Sequence, residues 1–265
     1  MKMMEQIKML NKIIENKNEE VDENKKIFPL NSFKSKIKPS SRNFKEALSK
    51  NKISKNKITL IAEIKRKSPS QEFFPDKKFD IKNIARVYSK YADAISVLTD
   101  KKFFNGTLED MKKVSTLTKL PILRKDFIID EYQIYESRLS GADAVLLIAS
   151  ILSSKRIDDF ISTAKKFSMD CLVEINNEDD LGKVLCSRAD IIGINNRNLN
   201  TLKIDTNTTL RLMDKIPDNK IIVSESGINS REYVEKIKHK VDAILVGGLF
   251  MNSNNPEKEI LSLIK

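Results

Sequence analysis

The chain has 265 residues, of which 40% are hydrophobic, 32% charged and 6% aromatic, with a formal net charge of +11. That is enough apolar residue to bury a core, yet no apolar run nears the roughly 20 residues a membrane helix needs, so no membrane role is expected. Two cysteines and one histidine exclude a disulfide scaffold, His-based triads and multi-histidine metal centres.

Residues 1–57 hold 15 Lys/Arg against 7 Asp/Glu, whereas the rest of the chain holds 33 against 30, so the basic excess belongs to the leader. A nucleic-acid-binding arm is one reading, but the stretch lacks interleaved aromatics and any RRM or KH signature. Lysines on solvated helices, or attraction of an anionic substrate, are the plainer readings, and no nucleic-acid partner is expected. Met3, Met4, Ile7, Leu10, Ile13 and Ile14 fall at helical spacing and predict an opening amphipathic helix, which Val21 and Ile27 extend toward Pro29. Residues 43–50 predict a second short helix with Phe44, Ala47 and Leu48. Glu5 and Glu15 among lysines predict neither a signal nor a transit peptide, and a cytoplasmic location is expected.

From residue 58 the texture changes. Short apolar runs at 58–64, 94–98, 122–124, 144–148, 171–174, 191–195, 221–224 and 243–246 alternate with amphipathic stretches such as 81–91, 108–118, 156–167 and 231–238. Asn255-Pro256 before Glu257 marks the start of a last helix. Strands apolar along their whole length are buried on both faces, as in parallel sheets covered by helices. Strict alternation predicts an α/β fold. Eight units over residues 58–265 fit a single closed (β/α)₈ TIM barrel, with residues 1–57 as a helical extension packed on it. A doubly wound open sheet is the alternative; eight units and the absence of a GxGxxG fingerprint favour closure.

In such a barrel the chemistry sits at the C-terminal ends of the strands, and here those ends are polar. The first run leads into Glu63, Lys65 and Ser68; the third ends in Arg124, Lys125 and Asp126; the fifth in Glu174; the sixth in Asn195, Asn196 and Arg197; the seventh in Ser224, Glu225, Ser226 and Gly227. Glu63 and Lys65 lie two apart and share a face. Lys65, Lys125 and Glu174 come from alternate strands and converge on one cavity, where ammonium and carboxylate groups perturb one another's pKa values. Gly227 follows the seventh run and Gly247 and Gly248 the eighth, the recurrent phosphate site of these barrels, with Arg197 and Ser226 as further donors.

These residues resemble the indole-3-glycerol phosphate synthase family of tryptophan biosynthesis. The likeness runs through residues 61–70 (IAEIKRKSPS), 96–100 (SVLTD), 103–106 (FFNG), 121–130 (PILRKDFIID), 141–144 (GADA), 172–174 (LVE), 193–199 (GINNRNL) and 224–228 (SESGI), with 42–44 (RNF) in the leader. The resemblance implies a decarboxylating lyase that needs no metal or organic cofactor and acts on a small phosphorylated substrate, expected as a monomer. It implies Lys125 as general acid, Lys65 on the substrate carboxylate, and Glu63, Glu174 and Asn195 as further catalytic groups. Arg197, Ser226, Gly227, Gly247 and Gly248 fall at phosphate positions, and Ser68 and Glu225 complete the expected substrate-binding set. Leu98, Phe104 and Leu147 are expected as a platform for the aromatic ring. Two departures stand out: Gln71-Glu72 where the family has a basic residue and glycine, and Gly248 where it has Glu or Ser. Another phosphate-binding barrel, of the phosphoribosylanthranilate isomerase or Schiff-base aldolase type, is the alternative.

Overall fold

A computed structural model describes residues 2–50, 57–69, 71–72 and 79–265, with backbone alone for 2–8 and 71–72. Ser70 and the side chains of Gln71 and Glu72 lie outside the described residues, as do those of Met3, Met4 and Ile7. Eight strands form a closed barrel: β1 (Thr59–Ile64), β2 (Ala94–Leu98), β3 (Ile122–Lys125), β4 (Ala144–Ile148), β5 (Asp170–Ile175), β6 (Ile191–Asn195), β7 (Ile221–Glu225) and β8 (Ala243–Val246). Each pairs in parallel with its neighbours in chain order, and β1 closes on β8. The open-sheet alternative is thereby excluded. A two-residue hairpin, Lys67–Ser68 with Gln71–Glu72, follows β1.

Strand alternation sorts the apolar residues into two layers. Ile61, Ala94, Leu123, Ala144, Leu146, Leu172, Ile191, Val223 and Leu245 point inward and fill the barrel. Their neighbours, such as Leu60, Val97, Val145, Val173, Ile192 and Ile244, point outward to the helices. The helices Ile81–Tyr91, Leu108–Leu117 and Arg231–Ile237 match the predicted spacing, and Ser154–Lys165 starts two residues early because Ser153 caps it. Asn255 caps the last helix, Pro256–Ile264, with proline in its first turn. At the opposite end from the mouth, the carboxylates of Asp93, Asp143 and Asp242 accept backbone N–H bonds from Leu60, Ile122 and Ile222 at 2.8–3.0 Å, tying each strand start to the next.

The leader serves both ends of the barrel. Its long helix, Lys2–Ile27, brings Leu10 and Ile13 to the mouth. The short helix Phe44–Ser49, capped by Asn43, buries Phe44 and Leu48 against the barrel floor. Full burial of such side chains is worth about 1.5–3 kcal/mol each. Leader cations also meet barrel carboxylates: Lys17 with Asp100 and Asp126 at 3.0 Å, Lys25 with Asp130 at 2.7 Å, Arg42 with Asp143 at 2.7 Å and Lys45 with Asp190 at 2.8 Å. Part of the basic excess is therefore matched internally.

Candidate active site

Inward alternation carries charge into the mouth from every odd strand: Glu63 from β1, Lys125 from β3, Glu174 from β5 and Glu225 from β7. Lys125 Nζ lies 2.9 Å from Glu174 Oε2 and 3.0 Å from Glu225 Oε2, and its side chain is 12% exposed. Lys65 Nζ lies 2.5 Å from Glu63 Oε1. Asn195 Nδ2 donates to Glu174 Oε1 at 3.0 Å, and its Oδ1 accepts from the Arg197 backbone N–H at 2.9 Å. The expected trio of Lys65, Lys125 and Glu174 is thus joined by Glu63, Asn195 and Glu225.

Burial works against the Lys125 charge, but the carboxylates of Glu174, Glu225 and Glu63 outweigh it and hold the ammonium well above its ordinary range. Glu225 behaves oppositely. Burial, reinforced by the like charges of Glu174 and Glu63, pushes its carboxyl up to about 7 even though Lys125 pulls it down. Among the described residues its oxygens have no hydrogen-bond donor beyond the Lys125 ion pair. Glu225 lines the cavity, and its carboxylate faces Lys125 because Ile221, Val223 and Glu225 alternate inward along β7. Gly193 on the neighbouring strand makes this possible, since a Cβ there would collide with Glu225 Oε1.

Across the mouth, Ser226 and Gly227 take left-handed backbone conformations with φ of 65° and 75°. A side chain on Gly227 would be strained by that angle, and its Cβ would lie 2.6 Å from Ile204 Cγ2. Arg197 is half-buried, with Nη1 donating to the Leu202 carbonyl at 3.0 Å, and burial lowers its pKa. Gly247 packs against Glu63, where a Cβ would come within 2.5 Å of Oε1, and Gly248 opens the short helical turn Gly248–Met251.

These groups line one cavity of about 650 Å³, which also includes Ser68. Its apolar wall is built by Leu10 and Ile13 of the leader with Leu98, Phe104, Phe127, Leu146 and Ile148. Leu98 and Phe104 are where the sequence suggested. Leu147 is not: it points outward into the helix layer, and its neighbours Leu146 and Ile148 face the cavity instead. Asp126 does not pair with Lys125. It turns toward Lys17 and Arg124, and Arg124 is itself buried against Glu136 and Thr99. Lys17 was invisible in the sequence because a lysine in a helical stripe with Leu10, Ile13 and Val21 reads as a solvated interruption.

The profile of the family described as indole-3-glycerol phosphate synthase matches residues 10–263. An indole-3-glycerol phosphate synthase of Thermoanaerobacter pseudethanolicus is 45% identical over 260 residues, covering 97% of each chain. One from Polaromonas naphthalenivorans is 42% identical, covering 94% of this chain and 95% of its own. The tryptophan biosynthesis protein TrpCF of Buchnera aphidicola (subsp. Schizaphis graminum) is 42% identical over 97% of this chain but only 55% of its own length. Among solved structures, KGPDC from Streptococcus mutans superposes with a TM-score of 0.59 at 12% identity, over 78% of this chain and 95% of that one, a likeness of fold alone. With a barrel closed in the expected order and relatives matching it from end to end, the chain belongs to the indole-3-glycerol phosphate synthase family.

Proposed function

We propose that this protein converts 1-(o-carboxyphenylamino)-1-deoxyribulose 5-phosphate to indole-3-glycerol phosphate, CO₂ and water. The observation that carries the reading is the Lys125 ammonium, held between Glu174 and Glu225 at the mouth, opposite a turn of left-handed backbone suited to an anion. Arg197, Ser226, Gly227, Gly247 and Gly248 grip the phosphate. Leu98, Phe104, Phe127, Leu146 and Ile148 receive the aromatic ring, so that the two ends of the substrate are held and its reacting carbons pressed together.

The ring carbon bearing the carboxylate attacks the ketone, and Lys125 delivers a proton to the developing alkoxide, leaving a hydroxyl. Positioned proton transfer of this kind typically contributes about 10²–10⁴-fold. Lys65 holds the carboxylate until the carbon–carbon bond breaks; CO₂ leaves and its bonding electrons restore the aromatic ring. Loss of the new hydroxyl as water takes up one proton, and removal of a hydrogen from the adjacent methylene gives one back. Glu174, steadied by Asn195, and Glu63 serve this exchange, with Ser68 at the cavity rim. Lys125 is then reprotonated from solvent, so the cycle consumes one proton for each carboxylate released. The cytoplasm is the proposed compartment and a single chain the proposed working unit.

The direct test is incubation of the protein with that substrate while following indole fluorescence and CO₂ together. The chain has no tryptophan, so background emission is low. Matched appearance of both signals is expected. Conversion of substrate without CO₂ would favour an isomerase, and a borohydride-trapped lysine adduct would favour an aldolase.

A further inference from the structure

Asn196 stands one residue beyond the end of β6, and alternation turns it away from the cavity into the helix layer, where it is buried. Its side chain is fully engaged. Nδ2 donates to the Ser226 carbonyl at 3.0 Å and, at 3.4 Å, faces the hydroxyls of Ser224 and Tyr233. Oδ1 accepts from the Thr209 backbone N–H at 3.0 Å and from the Thr209 hydroxyl at 2.9 Å. The main chain is committed too: its N–H donates to the Glu225 carbonyl at 2.9 Å, and its carbonyl accepts from the Asp205 N–H at 2.8 Å. One residue therefore joins the segment carrying Arg197, the turn carrying Ser226 and Gly227, and the helix Asn207–Leu212.

The bond to Ser226 has a consequence in the geometry of the peptide unit. Serine at a φ of 65° is an uncommon conformation that its surroundings must enforce. The Ser226 carbonyl and the Gly227 N–H belong to one planar trans peptide and point in opposite directions. Drawing the carbonyl outward to Asn196 aims the Gly227 N–H inward.

We infer that Asn196 is a positioning residue for anion binding: it orients the Gly227 N–H toward the cavity and fixes the spacing between the Arg197 and Ser226–Gly227 segments without touching substrate. This rests on the phosphate side of the cavity proposed above. The roles of Thr209 and Ser224 follow, because they hold the Asn196 amide in the orientation that presents Nδ2 to Ser226.

The test compares the full chain with Asn196→Ala and Thr209→Val, measuring kcat, KM and the competitive inhibition constant of inorganic phosphate. In Asn196→Ala both KM and the phosphate constant should rise together by about ten- to a hundredfold, the scale of losing one hydrogen bond to a charged group. The value of kcat should change far less, and Thr209→Val should show the same pattern more weakly. A purely structural role would lower the melting temperature and leave both constants where they were, and that result overturns the inference. Should Asn196→Ala fail to fold, Thr209→Val decides, since it keeps the shape and the Thr209 N–H; an unchanged phosphate constant there is equally fatal. Competition by phosphate in the unsubstituted chain separates the two readings. Its absence contradicts the anion cradle itself, whereas its presence with unaltered variants contradicts only the part given to Asn196.

Discussion

Burial alone would drive the Lys125 ammonium toward a neutral amine, and isolation would leave Glu225 a costly buried charge. Placed 3.0 Å apart they offset each other, but three carboxylates share the mouth with two ammonium groups, and Glu225 is the one pushed up, to about 7. The stability consequence has a definite sign. Unfolded, Glu225 ionises near its ordinary 4.5. Between there and about 7 the folded chain keeps a proton that the unfolded chain has lost. Stability should therefore fall as pH rises through that window, by at most about 1.4 kcal/mol for each step of one in pH, and level off above it. Glu225→Gln should flatten this slope. Denaturant unfolding of both proteins from pH 4 to 8 checks it, and an unchanged slope would mean that Glu225 is not the titrating group.

At the level of elements, the contact between the leader helix and the barrel turns on Lys17. Its ammonium is fully buried and meets Asp100, Asp126 and Glu20 at 2.9–3.0 Å; burial opposes the charge, and the carboxylates of Asp126 and Asp100 hold it high. Asp126 in turn is held well below the usual carboxylate range, against its burial, by Lys17 and Arg124. Breaking such a pair from one side leaves an uncompensated buried charge and typically costs about 3–5 kcal/mol. Lys17→Met should lose stability on that scale in urea unfolding. Combining it with Asp100→Asn, which keeps the cap on Phe103, should recover part of the loss, because the buried Asp100 charge is then gone while Asp126 keeps Arg124. A loss below about 1 kcal/mol in the single variant would make the contact ornamental.

Across the protein as one body, the leader is a strap that runs from mouth to floor, with Leu10, Ile13 and Lys17 at one end and Arg42, Phe44, Lys45 and Leu48 at the other. The barrel itself was legible because a strand covered on both faces must be apolar throughout, so all eight strands stood out as runs in the sequence. The mouth was partly legible: polar residues ending apolar runs located Glu63, Lys65, Lys125, Glu174 and Asn195. What the sequence hid were choices of side within one strand end. Leu146 and Leu147 differ only in the side of the pleat they take, which local composition does not report. The end of the seventh run named Glu225 as well, but a glutamate between two serines reads equally as a turn or as a buried charge, so its ion pair with Lys125 was not legible.

The proposed chemistry stands on Lys125, gathered with carboxylates from distant strands, as the source of the proton for ring closure. Single-turnover conversion of the carboxyphenylamino substrate by Lys125→Met decides it, with indole fluorescence followed beside product binding and circular dichroism. The expected outcome is a folded protein that still binds product but has lost about 10²–10⁴-fold in the rate of indole formation. Turnover within a small factor of the unsubstituted chain would remove Lys125 from that role.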